Sequence, residues 1–116
     1  MNDSDAARLR DAIEIERGRV TNQIANLQQS FGGIVDAAEL TSTDDEHDPE
    51  GTTIAYERAQ VSALLSQARD DLVALDAALG LVDNGRLETC DVCGGQIAFD
   101  RLLALPGIRT CIRCAG

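Results

Sequence analysis

The chain has 116 residues, 44% of them apolar and only 3% aromatic, and twenty acids set against ten Arg and no Lys leave a formal charge of −10. That length allows one ordinary domain, or one extended element carrying a small satellite. A palette of Ala, Leu, Ile and Val without Trp packs helix on helix more readily than it fills a thick globular core, and so acidic a chain is a poor general nucleic-acid binder, since phosphate neutralisation needs clustered cations.

The opening stretch, MNDSDAARLRDAIEIERG, contains no apolar run resembling a signal peptide. No segment approaches the ~20 apolar residues that span a bilayer. A cytoplasmic protein with no membrane partner is therefore expected, in a compartment where thiols stay reduced.

The first helical pattern has Ala6, Ile13, Val20, Leu27 and Ile34 recurring every seven residues, with Ile24, Phe31 and Ala38 as a companion row four positions on. Arg10 and Arg17 occupy the earlier companion positions, so the seam is expected to weaken toward the N-terminus. Gly32-Gly33 costs about 1 kcal/mol per residue relative to Ala in a helix and is a candidate kink or break.

Residues 41–52, TSTDDEHDPEGT, combine five acids with Pro49 and Gly51 and read as a loop. A second helical pattern follows, with Ile54, Val61, Ala68, Leu75 and Val82 in one row and Leu65, Leu72 and Leu79 in the other. From Val61 onward the apolar spacings alternate between four and three, the seam of a coiled coil. Thr52 or Thr53 can cap its start and Asn84-Gly85 supplies a stop; about 30 such residues make a helix ~45 Å long. Two helices with matching seams and a loop between them most simply fold back as an antiparallel hairpin. The fold class expected is therefore mainly α: a long helical hairpin over 1–85 with an acidic tip at about 41–52, then a small four-cysteine module over 86–116. A monomer is expected; intermolecular coiled-coil pairing is the alternative.

All four cysteines lie in CDVCGGQIAFDRLLALPGIRTCIRC, as C-x2-C-x17-C-x2-C. This spacing suits a tetrahedral site in which Cys90, Cys93, Cys111 and Cys114 hold one structural Zn²⁺ with no open position for substrate. Gly94-Gly95 permits the tight backbone path after the first pair. AFDRLLALP reads as one short helix ended by Pro106. A module of about thirty residues is below the size at which a core usually suffices alone, so the ion is physically needed. Residues 86–116 carry four Arg and three acids, against six Arg and seventeen acids in 1–85. Arg109 and Arg113 flank the second pair and could offset the −2 formal charge of a zinc tetrathiolate. His47 is the lone histidine, so no convincing Ser–His or Cys–His pair can be built, and an enzyme is not expected.

At these residues the sequence resembles the zinc finger of the DksA/TraR family. The shared features are the glycine after Cys93, Ile97, the Arg101-Leu102 pair, the proline before the last cysteine pair and the 17-residue gap. The stretch IAYERAQVSALLSQARDDLVALDAALGLVDNG resembles the helix that leads into that finger. The resemblance implies a regulator that binds RNA polymerase through its secondary channel without reading DNA sequence, its acidic hairpin tip approaching the active centre. The matching tip candidates are Asp44, Asp45, Asp48 and Glu50. The family tip commonly has a second Asp two residues after Asp-Pro, whereas Asp48-Pro49 here is followed by Glu50-Gly51. Two other readings stand beside this one. A zinc-ribbon nucleic-acid binder would use Arg86, Arg101, Arg109 and Arg113, and a coiled-coil adaptor would use the hairpin seam.

Overall fold

The computed structural model describes residues 1–40 and 49–115, with side chains described over 1–33 and 51–115. Three helices follow one another: α1 (Asp3–Leu40), α2 (Pro49–Asp83) and α3 (Phe99–Ala104). One compact unit comprises Met1–Val20 with Asp71–Gly116; a second comprises Thr21–Asp70.

Asn2 caps α1, its Oδ1 accepting the Asp5 N–H at 2.7 Å. Asp3 and Asp5 place negative charge in the first turn, where the helix dipole favours it. The helix then runs through Gly32-Gly33 without a break. α2 starts at Pro49, ahead of the threonines expected to cap it, and proline suits a first helical position because its missing N–H would have no partner there. The last four residues of the acidic segment are thus helical. α2 stops where Asn84-Gly85 predicts. Gly85 has φ +69°, its N–H donates to the Val82 carbonyl, and the Arg86 N–H reaches back to the Leu81 carbonyl. This is a Schellman stop, and its left-handed residue costs glycine nothing.

The long helices pack as an antiparallel hairpin. In the first unit Arg10 pairs with Asp83 and Arg17 with Asp76, so a step of seven along α1 is matched by a step of seven back along α2. Both ion pairs are half exposed and set register more than they stabilise. In the second unit the Arg58 guanidinium lies 5.4 Å from the Phe31 ring centroid.

The seam does not weaken toward the N-terminus of α1, contrary to expectation. Leu9 is fully buried alongside Ile13 and Val20, and Arg10 and Arg17 flank the seam as ion-pair partners rather than interrupting it. The buried face of α2 also turns near its end, where Leu75, Ala78 and Val82 are buried and Leu79 only partly so. The reason is a second neighbour in the same unit. A Cβ on Gly107 would stand 3.4 Å from Leu75 Cδ2, so the cysteine-bearing segment lies against α2 there. Leu87, Ile97 and Leu102 complete the core of this unit. No helix among the described residues is long and apolar enough to cross a membrane.

Leu9 and Ile15 differ in burial, at 0% and 75% exposure. Leu9→Ala is expected to lower the unfolding free energy by about 2–5 kcal/mol, and Ile15→Ala to change it by no more than about 0.5 kcal/mol. Denaturant titration followed by circular dichroism measures both. Equal effects would show that the seam does not pass through Leu9.

Candidate metal centre

Two tight backbone loops carry the cysteines. In the first, the Cys90 N–H donates to the Gly95 carbonyl at 2.8 Å and the Gly94 N–H returns to the Cys90 carbonyl at 3.0 Å. Gly94 has φ +72°, which is why this loop needs glycine at that position. Gly95 serves differently. Its N–H donates to Cys93 Sγ at 3.3 Å, and a Cβ there would meet that sulfur at 3.2 Å. Just outside the loop, Thr89 and Gln96 form a β-bridge. In the second loop, the Cys114 and Ala115 N–H groups both donate to the Cys111 carbonyl at 3.0 Å.

Between the loops, α3 begins at Phe99, whose ring lies under the Arg8 guanidinium at 5.1 Å. It ends before Pro106, as expected. The Ile108 N–H then donates to the Leu105 carbonyl across Pro106-Gly107. Proline second and a glycine of φ +93° third are the marks of a type II turn. That turn brings the second loop back to the first, and the Cys111 N–H donates to Cys90 Sγ at 3.3 Å.

The four sulfurs of Cys90, Cys93, Cys111 and Cys114 lie within 4.8 Å of one another. Cys93 Sγ and Cys111 Sγ are 3.7 Å apart, and none of the four is in a disulfide. Zinc–thiolate bonds of about 2.3 Å in a tetrahedron give sulfur–sulfur edges of about 3.8 Å. The donor set therefore fits one structural Zn²⁺, which would be held by four thiolates and would supply cross-linking without redox chemistry. Among the described residues this is the one cluster of potential metal ligands.

The local electrostatics favour the same chemistry. The Cys93 N–H, followed by that of Cys111, draws the Cys90 thiol down to about 6. Burial raises the Cys111 thiol, but the Cys114 and Arg113 N–H groups outweigh it and the net shift is downward. Hydrogen bonding to the Cys111 sulfur, then to that of Cys93, pushes Cys114 up to about 12. Sulfurs this close resist ionising together, and a divalent cation among them removes that resistance.

The arginines have backbone partners that the sequence does not reveal. Arg109 donates from Nη1 to the Leu87 carbonyl and from Nη2 to the Thr89 carbonyl, both at 2.7 Å, on the approach to the first pair. Arg101 Nε donates to the Thr110 carbonyl at 3.0 Å. Arg86 and Arg113 are exposed. The four do not form one free cationic face, because two are committed to main-chain carbonyls. Asp44, Asp45 and Asp48 lie outside the described residues, as does the Glu50 side chain.

Residues 85–116 match the family model of the prokaryotic dksA/traR C4-type zinc finger. The fold is similar to that of transcription factor DksA2 from Pseudomonas aeruginosa, with a TM-score of 0.78 at 22% identity over 97% of this chain and 81% of that one. Over 66 residues the chain is 36% identical to a Bacillus subtilis (strain 168) protein described as uncharacterized protein YteA. That stretch is 57% of this chain but spans only 28% of the relative's length.

Stripping the metal with a chelator under reducing conditions is expected to release amide protection at Cys90, Asp91, Gly94 and Ile97, whose N–H groups are hydrogen-bonded within the module. Protection at Leu65 and Ala68 should remain. Hydrogen exchange read residue by residue tests this, and protection unchanged over 90–97 would contradict a metal-organised module.

Proposed function

Starting from a DksA/TraR-type zinc finger at residues 85–116, we propose that this chain is a transcription regulator that binds RNA polymerase through its secondary channel. The observation that carries the reading is the union, in one chain, of that finger with an antiparallel helical hairpin. The similarity of fold to a transcription factor supports it. Residues 1–85 would act as the reaching element and 86–116 as its base. Cys90, Cys93, Cys111 and Cys114 would ligate one structural zinc, and Asp44, Asp45, Asp48 and Glu50 would approach the polymerase active centre. There, carboxylates can pair with Arg or Lys of mobile polymerase elements or act on water and cations near a catalytic Mg²⁺. The protein would work in the cytoplasm as a monomeric binding factor, not as an enzyme, and without reading DNA sequence.

A nucleic-acid-binding zinc ribbon is the weaker reading. The chain carries a charge of −10, and Arg101 and Arg109 spend their guanidinium donors on backbone carbonyls. Such a binder would lose affinity steeply as salt rises.

The test is binding to cognate RNA polymerase core, followed by in vitro transcription with Asp44, Asp45, Asp48 and Glu50 replaced together by Ala. Retained binding with loss of the effect on promoter-complex lifetime is expected. Retained binding with an unchanged effect would refute the role of the tip, and absence of binding would refute the polymerase reading itself.

A further inference from the structure

We propose that Arg101 and Arg109 are positioning residues of the metal centre, each fixing the peptide that delivers the first cysteine of one pair. The two pairs share a pattern. Cys90 and Cys111, the first of each, are buried, whereas Cys93 is exposed and Cys114 intermediate. A threonine precedes each buried cysteine, and the carbonyl of each threonine accepts a hydrogen bond from a guanidinium. Arg109 Nη2 holds Thr89 O at 2.7 Å and Arg101 Nε holds Thr110 O at 3.0 Å.

Peptide planarity gives these bonds their consequence. The carbonyl of one residue and the N–H and Cα of the next lie in one rigid plane. An arginine that fixes Thr89 O therefore fixes the N and Cα of Cys90, and one that fixes Thr110 O fixes those of Cys111. The Cys111 N–H aligned in this way donates to Cys90 Sγ at 3.3 Å.

Arg109 also joins the two loops. It stands two residues before Cys111, yet its side chain holds Leu87 O and Thr89 O on the approach to Cys90. Its own carbonyl accepts the Asp91 N–H at 2.9 Å, and Asp91 Oδ1 accepts from its Nη2 at 3.2 Å. Making these contacts leaves its buried Nε without a hydrogen-bond partner among the described residues. The guanidinium is thus held in an orientation that sacrifices one donor to keep two carbonyls in place. A lysine would keep the charge and lose the planar fork that spans both carbonyls. Arg113 provides the contrast: it is exposed. The inference rests on the zinc site and is independent of any polymerase partner.

The experiment compares the zinc-loaded full chain with Arg101→Lys, Arg109→Lys and Arg113→Lys, following transfer of zinc to a chromophoric chelator. Partners that orient ligands typically change metal affinity by about 10–100-fold when lost, so both Arg101→Lys and Arg109→Lys should lose zinc faster by about that factor, with Arg113→Lys close to the parent. The cobalt-substituted proteins should show an altered thiolate-to-metal charge-transfer band in the same two variants. Thermal melts of the metal-stripped chains separate positioning from general support of the fold. The variants should melt with the parent when stripped and below it when loaded. Unchanged zinc transfer in both arginine variants would overturn the proposal. So would an equal loss of melting temperature in stripped and loaded protein. If Arg109→Lys does not fold, as judged by its helical circular dichroism, Arg101→Lys alone decides between these outcomes.

Discussion

Four thiolates converging on one cation are the constraint on which the C-terminal third of this chain depends. Residues 89–114 contain one six-residue helix and an isolated β-bridge. Neither closes a core unaided, and the cross-link supplied by a metal takes the place of regular structure. What the chain contributes is the path: a left-handed Gly94, a Gly95 bare enough to let Cys93 Sγ approach, and a Pro106-Gly107 turn that returns the second pair to the first.

The metal is not the module's sole support. Met1–Val20 and Asp71–Gly116 form one compact unit, in which Leu9 and Ile13 of α1 and Leu75, Ala78 and Val82 of α2 are buried together with Leu87, Ile97 and Leu102. The helix ends and the cysteine loops thus share apolar burial. In this unit the register of the hairpin is read by Arg10–Asp83 and Arg17–Asp76, whose matching seven-residue steps leave no room for a slip. Four of the ten arginines stand where geometry is decided: two at the helix pairing and two on the carbonyls that lead into the cysteines.

Features whose physics is local were legible in the amino-acid order. The paired C-x2-C spacing, the stop at Asn84-Gly85, the short helix before Pro106 and the need for glycine after Cys93 each depend on neighbours a few residues away. The heptad rows were legible in outline and imprecise in detail. Leu9 and Ala78 are buried although they lie off the heptad rows, and at Leu75 the cysteine-bearing segment covers α2 in addition to its helix partner. That Arg101 and Arg109 bond main-chain carbonyls was not readable, because a guanidinium that bonds a carbonyl nine to twenty-two residues away looks like any other surface charge in sequence. Arg109 could be noticed beside Cys111, but not that it serves the approach to Cys90.

The claim that supports the remainder is that Cys90, Cys93, Cys111 and Cys114 together surround a single zinc ion. X-ray absorption at the zinc edge of the purified, reduced protein tests it directly. The account predicts one zinc per chain with a first shell of four sulfurs at about 2.3 Å. A shell containing nitrogen or oxygen, or fewer than four sulfurs, would contradict it.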